Sequence, residues 1–167
     1  MKYAEELKRS MTWLGEKPDT FFLGQAILYD GTAMTNTLVD VDRNKLREMP
    51  VNEDMQMGIS FGMSLNGRVP ISIYPIVNHI DKINDMSDGL FKSKIIIRTS
   101  IGSQFPLHPS YQHIDDFTNG FRLLCKNVEI FKLHDPREIF TAYKYAYERT
   151  DNRSTILVEY GDYYNTK

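Results

Sequence analysis

The feature that most constrains the fold is a series of continuous apolar segments of strand length, separated by segments with helical spacing. The strand-like segments are Thr20–Leu28, Val69–Tyr74, Ser93–Thr99, Asn127–Leu133 and Ser154–Tyr160. Strands that are apolar on both faces belong to parallel sheets that helices cover on both sides. The 167 residues are therefore predicted to form one domain, residues 1–167, with an α/β fold. We expect a three-layer sandwich in which a mainly parallel sheet of about five strands lies between helices.

Two amphipathic helices are predicted from apolar spacing and from the residues at their ends. The first lies near the amino terminus and ends before Pro18, and its apolar residues recur at intervals of three and four, at Ala4, Leu7, Met11 and Leu14. The second begins after Asp135, a good N-cap, with Pro136 at its first position. Its predicted apolar face consists of Ile139, Phe140, Tyr143 and Tyr147.

The segment from residue 53 to residue 66 fits two patterns. Apolar residues alternate with polar or small ones between Met55 and Leu65, which is typical of a strand. Gly58 and Gly62 are four residues apart, however, and on a helix they would form a stripe for close packing. Asn52 is a suitable N-cap, and Glu53 would lie in the first turn, beside the positive end of the helix dipole. The residues favour a helix.

Composition excludes several classes of function. The chain has 20 Lys and Arg residues against 22 Asp and Glu residues, so no general attraction to nucleic acids or to anionic membranes is expected. Cys125 is the only cysteine, which excludes an intramolecular disulfide and fits a reducing compartment. No apolar run approaches the ~20 residues of a membrane-spanning helix, and the charged amino terminus has no signal-peptide core. We expect a cytoplasmic protein.

Two segments are candidates for a functional site. Residues 48–58, EMPVNEDMQMG, contain an acidic pair at the start of a predicted helix rich in small residues. The pair could belong to a functional site, but an ordinary solvated first turn of a helix has the same pattern. Residues 103–113, SQFPLHPSYQH, follow a buried strand, and ligands bind in the loops at strand ends of parallel sheets, although an ordinary surface loop also fits. His108 and His113 lie in this loop, but no nearby cysteine completes a metal-ligand set. The pattern alone does not decide whether either segment is part of a functional site.

A resemblance to a known family covers nearly the whole chain. The segments FFLGQAI, GTAM, MPVNEDMQMGISFGMSLNGRVPISIYP, KIIIRTSIGS, PLHPSYQH and STILVEY resemble, in order and spacing, the pyrimidine-binding domain of thiamine-diphosphate enzymes. The sequence is most similar to β subunits of 2-oxo-acid dehydrogenases and to related transketolase-like proteins. The resemblance implies a parallel sheet between helices and a helix over residues 53–66.

The resemblance also implies roles for five residues. In the family, the glutamate at the position of Glu53 contacts a ring nitrogen of the aminopyrimidine, and a carboxyl that shares its proton there activates the cofactor. His113 matches a histidine near the substrate and the reactive carbon, which serves as a proton donor or stabilises an intermediate. Gln25 stands where the dehydrogenase β subunits have a glutamate that lines the site. Relatives carry about ten more residues after the position of Pro75, including an aromatic that packs on the pyrimidine. Either this contact is lost here, or Tyr74 or His79 replaces it.

The implied activity is cleavage or transfer at a carbon–carbon bond of a 2-oxo acid or ketose. The diphosphate and Mg²⁺ bind in a second domain with a GDG…N signature, which this sequence lacks. The chain would therefore share thiamine diphosphate with an α-type partner that holds the Mg²⁺, in an α2β2 heterotetramer. The chain ends soon after STILVEY, where β subunits continue into another domain. The missing diphosphate domain and the gap after Pro75 leave an alternative, a non-catalytic binding or assembly module that retains the fold.

Overall fold

Six parallel strands form one sheet in the part of the chain that the structure describes. The structure, a computed structural model, describes residues 2–73, 78–102 and 114–165. The strands are β1 (Thr20–Gly24), β2 (Leu46–Glu48), β3 (Val69–Ile73), β4 (Ile96–Ile101), β5 (Glu129–Lys132) and β6 (Thr155–Tyr160). Their order across the sheet is β2-β1-β3-β4-β6-β5, and every neighbouring pair is parallel. The predicted parallel α/β sheet is confirmed.

Helices cover both faces of the sheet. They are α1 (Tyr3–Gly15), α2 (Ala33–Asn36), α3 (Glu53–Leu65), α4 (Asn78–Met86), α5 (Thr118–Leu124) and α6 (Pro136–Glu148), with short 3₁₀ turns at Arg43–Lys45 and Gly161–Tyr164. Helices α1 and α6 bury their apolar residues against one face, in a core that includes Ile96. On the other face, α3 and α5 pack on a core that includes Ile97. Among the described residues, no helix is long and apolar enough to cross a membrane.

The predicted helix ends are confirmed by their capping bonds. The Asn52 side chain accepts a hydrogen bond from the Met55 N–H at 2.9 Å, and α3 begins at the next residue, Glu53. Asp135 accepts from the Arg137 N–H in the same way, and α6 begins at Pro136. Residues 53–65 are therefore helical, as the small-residue spacing and the acidic first turn indicated. Alternation of apolar residues gave the wrong signal here, because α3 leaves part of its apolar surface exposed.

Some predicted boundaries are wrong. The first strand ends at Gly24 rather than at residue 28, because the backbone turns at Ala26, where φ is 56°. The sequence analysis missed β2, which is only three residues long and includes two charged residues. Strand β4 runs from Ile96 to Ile101, several residues later than its apolar run suggested. Cys125 directly follows α5 in extended conformation and is buried in the core.

An ion pair lies in the core between α6 and the sheet. Arg98 on β4 and Glu159 on β6 are both fully buried, and the guanidinium donates to the carboxylate from Nε at 2.5 Å and from Nη2 at 3.0 Å. The hydroxyl groups of Tyr143 and Tyr164 also donate to this carboxylate. Burial and the negative charge of Glu159 raise the pKa of both tyrosines well above the ordinary value. Both tyrosines therefore stay protonated into alkaline solution, where a solvated tyrosine would ionise.

Candidate functional site

The strand order reverses at the carboxyl ends of β1 and β3. These strands are neighbours, with Gly24 opposite Ile73, but the chain leaves β1 toward β2 on one side and leaves β3 toward β4 on the other. Parallel sheets bind ligands at such a reversal of strand order, because the two connections diverge there and leave an open space. The two candidate residues that the structure describes with their side chains, Gln25 and Glu53, both lie at this edge.

Gln25 and Glu53 are brought into contact by the fold. Gln25 is the first residue after β1, and Glu53 is the first residue of α3. The Gln25 Nε2 donates to the Glu53 Oε1 at 3.3 Å, although the residues are 28 positions apart in the sequence. Both side chains are half-buried. The structure thus joins two of the predicted site residues, and their roles toward a ligand stay predictions.

The first turn of α3 determines the electrostatics around Glu53. The backbone N–H groups at the start of the helix carry partial positive charge, which favours a carboxylate at this position. Within the described residues, Gln25 is the hydrogen-bond partner of the Glu53 carboxylate. The neighbouring Asp54 lies in the same turn but is exposed. The fold therefore distinguishes the two acidic residues, and only Glu53 faces the residue that follows β1.

Beneath Glu53, a buried amide ties α3 to the sheet. Gln56 is fully buried, and its Nε2 donates to the Leu23 carbonyl at 3.1 Å and to the Ser72 hydroxyl at 2.9 Å. Ser60, one turn later, is hydrogen-bonded to the same Ser72 hydroxyl at 3.1 Å. These bonds fix the start of α3 over the ends of β1 and β3. The sequence analysis missed Gln56, although a lone amide on the inner side of an apolar helix was its visible signal.

The outer side of α3, opposite the buried Gln56 and Ser60, is apolar and exposed. Met55 and Ile59 are exposed by 47% and 37% of their surface. A Cβ placed on Gly58 or Gly62 would meet no atom within 4 Å, so the stripe that we expected to pack closely has no partner among the described residues. This surface is available for close approach of another helix.

The other candidate residues lie outside the described part of the structure. Tyr74, His108 and His113 belong to the segments 74–77 and 103–113, which the structure does not describe. Position 79 is in α4, but the side chain of His79 is outside the described part as well. Across the described ranges, no group of three His, Cys, Asp or Glu side chains is arranged to hold a metal ion. The predicted roles of these residues stay predictions.

Comparison with known proteins yields a structural match. No protein-family model and no curated protein sequence matches the chain. Among solved structures, it is similar to a chain described as a split gene transketolase, inactive β4 tetramer, with a TM-score of 0.65 and 16% sequence identity. The match covers 95% of this chain and 51% of that one, so this chain spans about half the length of its structural neighbour. The likeness establishes the fold, and it confirms that the chain has the transketolase-like α/β fold that the sequence resemblance predicted.

Proposed function

We propose that this chain is the pyrimidine-domain, β-type subunit of a split thiamine-diphosphate enzyme. The enzyme would cleave or transfer a carbon–carbon bond next to the carbonyl of a 2-oxo acid or ketose. The observation that carries the proposal is the contact between Glu53 and Gln25 at the carboxyl edge of β1 and β3. It places an acidic side chain, oriented by an amide, at the reversal of strand order in a transketolase-like fold.

The described residues fit the pyrimidine half of this cofactor. A half-buried carboxyl at the start of a helix can hydrogen-bond a ring nitrogen, and the amide of Gln25 holds that carboxyl in place. When bound, thiamine diphosphate supplies the carbon at which the reaction occurs. Glu53 would hold the proton that it shares with the ring nitrogen, and His113 would donate a proton to the substrate. Tyr74 or His79 would pack on the pyrimidine.

A partner subunit is part of the proposal. The apolar outer side of α3, with Met55 and Ile59 beside two open glycines, supports docking of an α-type subunit that holds the diphosphate and Mg²⁺. A partner that packs on this side and extends over the first turn of α3 would also cover Glu53, exclude water from the carboxyl and favour proton sharing. We propose an α2β2 heterotetramer as the active form, and a cytoplasmic location for it.

The alternative is a non-catalytic module that keeps the fold. It is favoured by the lack of the diphosphate-binding signature in this sequence and by the gap after the position of Pro75. The structural neighbour is described as an inactive tetramer, which shows that for that protein an assembled β subunit is compatible with lack of activity. Calorimetry with thiamine diphosphate, Mg²⁺ and the partner subunit separates the two functions. Binding that requires both chains supports the enzyme, and no binding at millimolar cofactor supports the module.

The decisive test compares Glu53→Gln with a matched control, Asp54→Asn. Both variants remove one carboxylate from the first turn of α3, but only Glu53 contacts Gln25. The purified chain is combined with a candidate α-type subunit, thiamine diphosphate and Mg²⁺, and 2-oxo-acid turnover is measured. We expect Glu53→Gln to lower the turnover about 100-fold or more and Asp54→Asn to leave it within a few-fold of wild type. Equal turnover in both variants would remove the role proposed for Glu53.

A further inference from the structure

Glu48 forms a carboxylate clamp on the turn that follows β1. Glu48 is the last residue of β2 and lies opposite Gly24, the last residue of β1. Its carboxylate accepts a hydrogen bond from the Ala26 N–H at 2.5 Å through Oε1 and another from the Leu28 N–H at 3.1 Å through Oε2. Both carboxylate oxygens are thus used to hold backbone amides of the same turn, 20 and 22 residues away in the sequence. Charge-assisted bonds of this kind are stronger than neutral ones.

The clamped turn has a backbone conformation that alanine rarely adopts. Ala26 has a φ of 56°, in the left-handed region, where the Cβ of an L-residue is crowded by its own backbone. Both peptide groups of this residue are held, because Glu48 accepts from its N–H and the Thr35 hydroxyl donates to its carbonyl at 3.0 Å. A non-glycine residue stays in such a conformation only where its surroundings fix it, and such positions cluster at functional sites. Glu48 is therefore part of what keeps this turn strained.

The turn determines where Gln25 points. Gln25 lies between Gly24, which the sheet holds, and Ala26, which Glu48 holds. A Cβ on Gly24 would come within 2.9 Å of the Ile73 Cβ, so the backbone on this side is in close contact with β3 and has little freedom. With both neighbours fixed, the Gln25 side chain is directed toward α3, where it donates to Glu53. Glu48 has no hydrogen bond to Glu53 in the described part of the chain and acts through Gln25.

We propose that Glu48 is a positioning residue, which holds the strained turn at Ala26 so that the Gln25 amide is directed at the Glu53 carboxylate. The consequence of this role for catalysis rests on the proposed function, because that function requires a fixed orientation of the Glu53 carboxyl. The positioning itself is a property of the chain alone. A purely structural Glu48 would stabilise the turn without any effect on Gln25, and the two possibilities differ in what happens to the Gln25 side chain.

The first experiment is carried out on the full chain without cofactor or partner. Nuclear magnetic resonance compares Glu48→Ala with Asp42→Ala, a control that removes another carboxylate accepting a backbone N–H on the same β1–β2 connection. We expect Glu48→Ala to raise hydrogen exchange at the Ala26 and Leu28 amides on the order of tenfold to a hundredfold. We also expect it to shift the Gln25 side-chain amide signals toward those of a solvated glutamine. Asp42→Ala should change neither quantity.

A second pair of variants keeps the proposal falsifiable if Glu48→Ala does not fold. Glu48→Gln has nearly the same volume but only one acceptor oxygen, and it should lose exchange protection mainly at one of the two amides. Adding Ala26→Gly to Glu48→Ala should restore the Gln25 side-chain signals at least partly, because glycine adopts a positive φ without a clamp. Faster exchange at Ala26 with unchanged Gln25 signals in every Glu48 variant would overturn the proposal and leave Glu48 a structural residue.

A separate measurement connects the positioning to the cofactor. Calorimetry of the assembled subunits with thiamine diphosphate should give about tenfold weaker binding for both Glu48→Ala and Gln25→Ala, and no further loss when the two changes are combined. An additive loss would show that Glu48 does not act through Gln25, against the proposal. If the wild-type assembly binds no thiamine diphosphate, the proposed function fails, and the resonance experiment still decides whether Glu48 positions Gln25.

Discussion

Replacement of Glu159 by alanine is expected to destabilise this protein more than most single substitutions. Glu159 is fully buried and accepts hydrogen bonds from Arg98, Tyr143 and Tyr164. Its removal leaves the guanidinium of Arg98 without its counter-ion in a site where that side chain is also fully buried. Burial by itself opposes the charge, and Glu159 is a main reason why the pKa of Arg98 is nevertheless raised well above its usual value.

The magnitude follows from breaking one side of a buried pair. Loss of one partner of such a pair costs about 3 to 5 kcal/mol of unfolding free energy. With a urea dependence of roughly 2 kcal/mol per molar, the unfolding midpoint should fall by about 2 M. Arg98 Nη1 already lacks a hydrogen-bond partner in the described structure, and the other acceptor of the guanidinium, the Tyr164 hydroxyl at 3.2 Å from Nη2, carries no charge that could replace the carboxylate. Replacing both charges with apolar residues, as in Arg98→Met with Glu159→Leu, should cost much less than the two single changes together.

The assay is urea unfolding followed by circular dichroism, with Lys8→Ala as a control. The Lys8–Asp40 pair has a similar N–O distance of 2.9 Å, but its side chains are 41% and 51% exposed, so its loss should cost no more than about 1 kcal/mol. A cost for Glu159→Ala no larger than that of the control would refute the reasoning. So would a double variant whose loss equals the sum of the single losses, because Arg98 and Glu159 would then not depend on each other.

Three further predictions concern pH and capping. Arg149 lowers the pKa of Asp151 to about 2, below its ordinary value of 3.8. The interaction of the two side chains therefore stabilises the folded state at neutral pH, and this stabilisation is lost as the pH falls from about 4 to about 2. Asp151→Asn should flatten that part of the curve of unfolding free energy against pH. Burial and the hydrogen bond to Asp19 raise the pKa of Tyr147 from 10.0 to about 12, so stability should fall between these pH values, and less so in Tyr147→Phe. Asn52→Ala should cost about 1 kcal/mol in urea unfolding, and Asn52→Asp much less, because aspartate is an equally good cap.

The predicted order of strands and helices came from short-range patterns, and the structure confirms most of it. Asp135 and Pro136 predicted the start of α6, and Asn52 predicted the start of α3. Continuous apolar runs predicted a parallel sheet, which the structure confirms. These features could be predicted because a cap, a helical period or an apolar strand involves neighbouring residues only. The contact between Gln25 and Glu53 did not follow from such patterns, and only the family resemblance placed both at one site.

Tertiary structure decided what depends on residues that are far apart in the chain. Strand β1 ends at Gly24 because the backbone turns at Ala26, whose N–H is bonded to the distant Glu48, although the apolar pattern continues for several residues. Strand β2 forms only because β1 offers it a parallel edge, and three residues carry too little pattern to reveal that. The burial of Arg98 is likewise settled by Glu159, which is 61 positions away. Whether a charged residue in an apolar strand is buried depends on whether tertiary packing brings it a partner of opposite charge.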